Sequence, residues 1–176
     1  MINLFKPKYI FYIFLIGGLT IFIGCQSKSG DGKPYVNASS PIEAGRYIAI
    51  VGGCNDCHTA GYLQTDGKIP EEDWLTGSPM GWRGPWGTTY AANLRITVDM
   101  FSEDDFVEIL HGRADSPPMP WMNVNKMSDA DARALYKYIK SLGLKGEAMP
   151  AMVPPDKEPE TPYLLLAPQN LGEVKK

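Results

Sequence analysis

Apolar residues recur with helical spacing in three stretches of this 176-residue chain. In the first stretch, Ala44, Ile48 and Val51 follow one another at intervals of four and three residues, which places them on one face of a helix. The residues just before them, 40–43, supply a capping serine, a proline suited to the first turn, and a glutamate three positions after the cap. The pattern predicts a helix that begins at residue 41 and ends before Gly52-Gly53.

Two further helices are predicted by serine caps that precede acidic residues and an apolar face. One begins at Ser102 and ends at Gly112, and the other begins at Ser128 and ends at Gly143. Their apolar residues are Phe106, Ile109 and Leu110 in the first helix and Leu135, Tyr138, Ile139 and Leu142 in the second. Helices with one apolar face bury that face against each other, so these segments indicate a small helical core.

The stretch from Gly61 to Val98 follows neither the period of a helix nor that of a strand. It is rich in glycine and proline, and its large aromatic side chains include Trp74, Trp82, Trp86 and Tyr90. A compact domain rarely holds so long an irregular segment unless its apolar side chains have something to pack on. The chain is therefore expected to be all-α, with three or more short helices and long irregular loops packed around a bound group. An ordinary functional or mobile loop is the alternative.

The first residues of the chain are expected to be a targeting segment. Residues 9–24 form a mostly apolar run of 16 residues after two lysines, shorter than the roughly 20 that span a bilayer comfortably. The glycine and Cys25 at the end of this run resemble a bacterial lipoprotein cleavage site, which implies removal of residues 1–24 and lipidation of Cys25. An uncleaved signal anchor is the alternative, and both place the protein outside the cytoplasm. By the same resemblance, Gln26 slightly favours the outer membrane.

Composition divides the rest of the chain into three regions. Residues 25–40 are rich in serine, glycine and lysine, and are expected to form a flexible tether after the lipidated cysteine. Residues 41–146 contain the predicted helices and form the folded domain. Residues 147–176 are proline-rich, so this tail can be extended but not helical. Its apolar run at 163–166 is expected to lie against the domain, with disorder as the alternative.

Cys54-Asn55-Asp56-Cys57-His58 is the strongest chemical signal in the chain. C-x-x-C-H is the pattern for covalent attachment of a c-type haem, in which both thiols become thioethers and the adjacent imidazole binds the iron. One copy predicts one covalent haem c, with His58 as the proximal ligand of its iron.

Three other kinds of site can use the same cysteines. A thioredoxin-like redox pair needs a preceding strand, whereas a helix is predicted here. A zinc site needs a fourth ligand and usually a second ligand pair, and His111 is the one histidine left to provide it. A structural disulfide between Cys54 and Cys57 leaves His58 without a role. Haem attachment is the interpretation that uses all three residues.

Cysteine count and charge indicate the compartment of the protein and the class of partner that it can bind. With Cys54 and Cys57 assigned to haem and Cys25 to lipid, none of the three cysteines is left over, which suits an oxidising compartment. The chain has 17 basic and 20 acidic residues, and loss of Lys6 and Lys8 with the leader leaves 15 and 20, a net charge of about −5. This balance argues against nucleic acid as a partner.

The residue on the opposite side of the iron decides what the haem can do. Met119 is the preferred distal ligand, because prolines on both sides restrict its backbone and it lies 61 residues after His58. His111, Met80 and the other methionines are alternatives, as is an open distal site. Together with His58, a methionine ligand fills both axial positions and favours electron transfer. An open site favours a haem enzyme or a ligand sensor.

Residues 41–146 resemble a class I c-type cytochrome. The resemblance is carried by Gly45-Arg46-Tyr47 before the C-x-x-C-H motif, by Pro118-Met119-Pro120, and by the segment from Leu135 to Leu142. It implies a small cytochrome c fold in which the first and last helices cross near the haem and a glycine of one helix meets an aromatic residue of the other. Gly45 and Tyr138 are the matching positions.

Residues 81–94 resemble a loop of the haem subunits that accompany membrane-bound bacterial alcohol and aldehyde dehydrogenases. Together with residue polarity, this resemblance implies that Arg83, Trp86, Tyr90 and Asn93 contact the haem propionates. The implied role is a membrane-anchored carrier of single electrons between a redox donor and an acceptor, without catalytic residues of its own. A docking subunit of a dehydrogenase complex is a further alternative, and the oligomeric state is not specified by the sequence.

Overall fold

The computed structural model describes residues 30–168. The predicted leader, Cys25, the first residues of the predicted tether and residues 169–176 lie outside the described part of the chain. The helices are α1 (Pro41–Val51), α2 (Cys54–His58), α3 (Leu94–Met100), α4 (Glu103–Gly112), α5 (Trp121–Val124) and α6 (Asp129–Ser141). The strands are β1 (Gly81–Gly84), β2 (Gly87–Tyr90) and β3 (Tyr163–Leu165), and short 3-10 turns occupy Leu63–Thr65 and Glu71–Asp73. No helix within residues 30–168 has both the length and the apolar character needed to cross a bilayer.

The three predicted helices are confirmed as α1, α4 and α6, and each is capped by the expected serine. The side chain of Ser40 accepts a hydrogen bond from the backbone N–H of Glu43, and Ser128 accepts one from Asp131. At α4 the cap is reciprocal, because the carboxylate of Asp105 also accepts from the backbone of Ser102. Each bond satisfies a first-turn N–H that has no partner within the helix, so these start points are set locally by the sequence.

Helices α1 and α6 cross in direct contact at Gly45. A Cβ atom at this position would lie 2.0 Å from the carbonyl oxygen of Ala134 and 2.6 Å from the Cβ of Tyr138. The expected meeting of a glycine with an aromatic residue is therefore confirmed. The hydroxyl of Tyr138 donates to Glu71 Oε1 at 2.8 Å, and the same carboxylate accepts from Arg46. Burial, reinforced by the bond to Glu71, raises the pKa of the Tyr138 hydroxyl well above its ordinary value.

The expectation of an all-α domain is wrong in part, because the described chain also contains a three-stranded sheet in the order β2-β1-β3. β1 and β2 form an antiparallel hairpin in which Gly81 lies opposite Tyr90, and β3 pairs in parallel with β1. Strands of three or four residues are too short for an alternating pattern to be recognised, and β3 reaches β1 from a distant part of the sequence. The sequence also gave no clear sign of α3, which Asn93 caps with its side-chain oxygen.

The segments that flank the domain are attached to it. In the region expected to be a flexible tether, the backbone N–H of Val36 donates to Asp131 at 2.9 Å and Lys33 Nζ donates to the carbonyl of Met127 at 3.0 Å. This part of the region therefore lies against the start of α6. After the domain, Val153 and Thr88 exchange two backbone hydrogen bonds before the chain reaches β3.

Arg83 of β1 makes the densest set of contacts with this C-terminal segment. Its guanidinium donates to the carbonyl of Lys157 at 2.9 Å and to Glu158 Oε1 at 3.0 Å, and it lies 5.4 Å from the ring centre of Tyr163. The carboxylate of Glu158 is largely exposed, so this ion pair contributes little to the stability of the fold. The bonds to backbone carbonyls and the packing of the guanidinium over the ring of Tyr163 are expected to hold the segment.

We expect Arg83→Ala to loosen the C-terminal segment and to lower the free energy of unfolding by about 1–3 kcal/mol. Hydrogen exchange should be faster at the Leu166 amide, which donates to the Arg83 carbonyl, and at the Thr88 amide, which donates to Val153. Lys68→Ala is the control, because its ion pair with Asp66 is fully at the surface. Unchanged exchange at both amides in the Arg83 variant would contradict this role.

Candidate metal centre

The candidate site is built on α2, directly after a sharp turn. The turn residue Gly53 has a φ of 67°, in the left-handed region that side chains disfavour, and this allows the chain to leave α1 and enter α2 at once. Within α2, Cys57 and His58 follow Cys54 by three and four residues. The three side chains therefore share one side of a helical turn. The two thiols and the imidazole are therefore presented together.

His58 is held in the state that a metal ligand requires. The ring is buried, and Nδ1 lies 2.7 Å from the carbonyl oxygen of Ala92. Because a carbonyl can only accept, Nδ1 carries the hydrogen and the lone pair of the neutral ring is on Nε2. Burial lowers the pKa of His58, which favours this neutral form. The bond from Nδ1 also fixes the orientation of the ring, as outer hydrogen bonds do for metal-bound histidines.

Cys54 and Cys57 are separate thiols and do not form a disulfide with each other. Burial raises the pKa of Cys54 to about 11 and also raises the pKa of Cys57. Both are therefore neutral S–H groups at pH 7, and a thioether forms when such a group adds across a vinyl double bond. In residues 30–168, no cluster of three or more histidine, cysteine or carboxylate side chains is placed to hold a metal ion.

A cavity of about 330 Å³ opens beside Cys57. One wall comes from the residues around α2, including Leu63, and the other from Met80, Trp82 of β1 and Leu164 of β3. Its lining is mostly apolar and its volume lies at the lower end of the range for small-molecule sites. Of the three motif side chains, Cys57 borders this cavity. Two thiols and a neutral imidazole on one helical turn are the donor set that the iron porphyrin indicated by the motif requires.

Asn55 leaves a buried donor without a partner inside the motif. Its oxygen accepts from the hydroxyl of Thr59 at 2.7 Å, and that hydroxyl accepts from the backbone N–H of Leu75. The amide nitrogen of Asn55 is buried and has no hydrogen-bond partner among the described residues. An unpaired buried donor costs about 1–3 kcal/mol, so this atom is expected to be satisfied by water or by a bound group.

Met119 is half-buried and packs against the core. The segment that carries it is connected to the sheet by the hydroxyl of Thr89, which donates to the carbonyl of Pro117. Thr89 lies three residues before Ala92, whose carbonyl holds His58, so the two anchor points are at most about 10 Å apart along the chain. The structure thus brings the segment of the proposed distal ligand to the same stretch of chain that fixes the proposed proximal ligand.

The alternative distal ligands have different surroundings. The Nε2 of His111 lies 3.1 Å from the carbonyl of Met127, so this ring faces the start of α6. Met80 lines the cavity beside Cys57. Met149 packs on Gly77, whose amide donates to the carbonyl of His58. Met80 and Met149 therefore stay as alternatives to Met119.

The four residues expected at the haem propionates all have hydrogen-bond partners within the chain. Arg83 bonds to the C-terminal segment, as described above, and the hydroxyl of Tyr90 lies 2.7 Å from that of Thr161. The ring nitrogen of Trp86 donates to the carbonyl of Trp82 at 3.3 Å. Asn93 donates to the carbonyls of residues 145 and 147 while its oxygen caps α3. Contact with propionates stays a prediction for all four, and Asn93 would have to give up existing bonds to make it.

Arg95 is a central residue that sequence reasoning missed. Its side chain is only 2% exposed, and its guanidinium donates to the carbonyls of Trp74 and Leu142 and to two carbonyls of the 71–73 turn region. It therefore ties the aromatic loop to the end of α6. A single arginine in a short helix looks like a surface residue in sequence, and its carbonyl partners carry no side-chain signal.

Comparisons with known proteins agree with the haem that the C-x-x-C-H motif indicates. The family model for cytochrome c matches residues 42–143. The chain is 33% identical over 104 residues to the fructose dehydrogenase cytochrome subunit of Gluconobacter japonicus, which covers 56% of this chain and 20% of that protein. It is 28% identical over 144 residues to the cytochrome c subunit of alcohol dehydrogenase (quinone) of Gluconacetobacter polyoxogenes. That match covers 76% of this chain and 27% of the relative.

The cytochrome c subunit of gluconate 2-dehydrogenase from Pantoea cypripedii is 34% identical over 109 residues, which covers 55% of this chain and 22% of that protein. The chain therefore spans about a fifth to a quarter of the length of these relatives. No solved structure matches the chain significantly.

Proposed function

Because this chain belongs to the cytochrome c family, whose cofactor is covalently bound haem c, we propose that it carries single electrons as a monohaem cytochrome outside the cytoplasm. The observation that carries the proposal is His58, a buried neutral imidazole whose Nδ1 is bonded to Ala92 and whose Nε2 is left for iron. Cys54 and Cys57 on the same side of α2 are the proposed attachment points. When bound, the haem supplies an iron that changes oxidation state by one electron.

The protein's own residues determine how that iron is used. Hydrogen bonding at Nδ1 makes Nε2 of His58 a better electron donor and prevents the ring from rotating. Met119 is proposed as the distal ligand, since its segment is connected to the strand that leads to Ala92. If His58 and Met119 both hold the iron, it would have no position left for a substrate, and the thioether of Met119 would raise its reduction potential. This arrangement suits electron carriage rather than ligand sensing.

Replacement of Met119 by alanine is expected to abolish the near-infrared sulfur-to-iron charge-transfer band, lower the reduction potential and permit ready binding of carbon monoxide. These changes follow from removing the thioether while leaving His58 in place. Met122→Ala is a matched control, because Met122 is 77% exposed and lies three residues away. The band should persist in the control. If it persists in Met119→Ala and disappears in Met80→Ala or Met149→Ala, Met119 is not the ligand.

The proposed partners are a redox donor and an acceptor near a bacterial membrane. The similar proteins named above are cytochrome subunits of dehydrogenases, which favours such an enzyme, or its respiratory acceptor, as one partner. The chain's acidic balance makes nucleic acid an unsuitable partner. We propose membrane attachment through lipidated Cys25, with the outer membrane slightly favoured. Cys25→Ala should then move the protein from the membrane fraction to the soluble fraction, and unchanged fractionation would contradict lipid anchoring.

The docking-subunit alternative predicts a different result when the protein is purified. A docking subunit should co-purify with a dehydrogenase in fixed proportion, whereas a mobile carrier should be isolated alone with one haem per chain. Pyridine haemochrome quantitation together with the intact mass of the protein measures that proportion. A chain without covalent haem would contradict both proposals.

A further inference from the structure

Residues 115–120, which carry the proposed distal ligand, have few backbone donors of their own. Prolines at positions 117, 118 and 120 have no N–H to donate. The amide of Met119 donates to the carbonyl of Ser116 at 3.3 Å, so it shapes the segment without attaching it to the rest of the fold. Other bonds in this region, such as that from the Trp121 ring to the carbonyl of Asp115, are also local.

Among the hydrogen bonds of the described residues, the contact from Thr89 to Pro117 is the one that joins residues 115–120 to the sheet. Thr89 is only 3% exposed, so water does not compete freely for its hydroxyl. The carbonyl of Trp82 is a second acceptor within reach, but it lies 3.4 Å away. A hydroxyl has one hydrogen, and the closer carbonyl of Pro117 is the better acceptor.

The strand that provides this bond is itself fixed on both sides. Thr88 exchanges two backbone hydrogen bonds with Val153, and the carbonyl of Ala91 accepts from the amide of Ser78 at 3.1 Å. The next residue, Ala92, accepts the bond from His58. Movement of the strand would therefore displace both ligand segments together, whereas loss of the Thr89 bond would release only the distal one.

We propose that Thr89 is a positioning residue for the distal ligand: by holding the Pro117 carbonyl on β2, it keeps the thioether of Met119 on the iron. This inference rests on the proposed function, in which Met119 is the ligand. Loss of one hydrogen bond of ordinary strength raises the population of the open segment about 5- to 10-fold. The global fold should change less, since the core helices do not use this bond.

The test is imidazole binding by the oxidised, haem-loaded full chain, measured from its absorbance spectrum. Imidazole can bind when Met119 leaves the iron, so its apparent affinity reports the open population. Thr89→Val keeps the shape of the side chain and removes the hydroxyl. It should bind imidazole about 5- to 10-fold more tightly than the wild type. Thr89→Ser restores the hydroxyl and should return the affinity to the wild-type value.

Thr88→Val is the matched control. Thr88 is the fully buried neighbour of Thr89 in β2, and its hydroxyl accepts from Arg83 rather than bonding the Met119 segment. Its imidazole affinity should stay at the wild-type value. As a second readout, hydrogen exchange at the Met119 amide should accelerate in Thr89→Val and not in Thr88→Val. Denaturant unfolding of each variant separates local opening from global loss of stability.

Three outcomes overturn the inference, and the first two leave the proposed function in place. Wild-type imidazole affinity in Thr89→Val, with much tighter binding in Met119→Ala, removes the positioning role and leaves the ligand assignment in place. Equal increases in Thr88→Val and Thr89→Val assign the effect to the hairpin as a whole. A charge-transfer band that survives Met119→Ala removes the ligand assignment and the role of Thr89 with it.

Discussion

Replacing His58 with alanine is expected to eliminate the low-spin haem spectrum of the protein. The lone pair on Nε2 is placed by the bond from Nδ1 to Ala92, and alanine provides neither the lone pair nor that bond. The carbonyl of Ala92 would also lose its partner, so stability should fall by about 1 kcal/mol in addition to the loss of ligation. Absorbance spectra and the haem content per chain measure the first effect, and denaturant unfolding measures the second.

The chain contains a matched control in its second histidine. His111 also bonds to a backbone carbonyl, that of Met127, which lies just before the start of α6. His111→Ala should keep the full haem spectrum and lose about 1 kcal/mol of stability. If His111→Ala loses the low-spin spectrum while His58→Ala retains it, the proximal assignment is wrong.

The features that could be predicted from sequence are those whose cause is local. Serine caps at residues 40, 102 and 128 bond to amides three positions later, so the starts of α1, α4 and α6 follow from short patterns. The C-x-x-C-H motif is equally local, because one turn of helix presents its three functional side chains on one side. Gly45 and Tyr138 are distant in sequence, and it was the family resemblance that paired them.

The features that could not be predicted depend on backbone atoms of distant segments. The carbonyl of Ala92 holds His58, but any residue type at position 92 would offer the same oxygen. The sheet also depends on backbone atoms, because β3 pairs with β1 through backbone hydrogen bonds between segments that are remote in sequence. Arg83 illustrates the related difficulty for polar side chains: four of its N–H groups bond to Thr88 and the C-terminal segment, partners that its sequence context does not indicate.

Gly45→Ala is expected to be strongly destabilising. The added Cβ would lie 2.0 Å from the carbonyl oxygen of Ala134, a backbone atom that cannot rotate away. Helices α1 and α6 would have to separate, and α1 leads directly into α2, which carries the C-x-x-C-H motif. The cost should exceed the 1–3 kcal/mol typical of overpacked cores. Denaturant unfolding of the haem-loaded protein measures it directly.

Gly112→Ala makes the same chemical change where the structure leaves room for it. Gly112 is the last residue of α4, has no φ in the left-handed region, and has nothing within 4 Å of the position of its added Cβ. Alanine is favoured over glycine in helices by up to about 1 kcal/mol, so this variant should be neutral or more stable. The two substitutions should therefore shift stability in opposite directions or by clearly different amounts. Similar small effects at both positions would mean that α1 and α6 do not approach as closely at Gly45 as the fold requires.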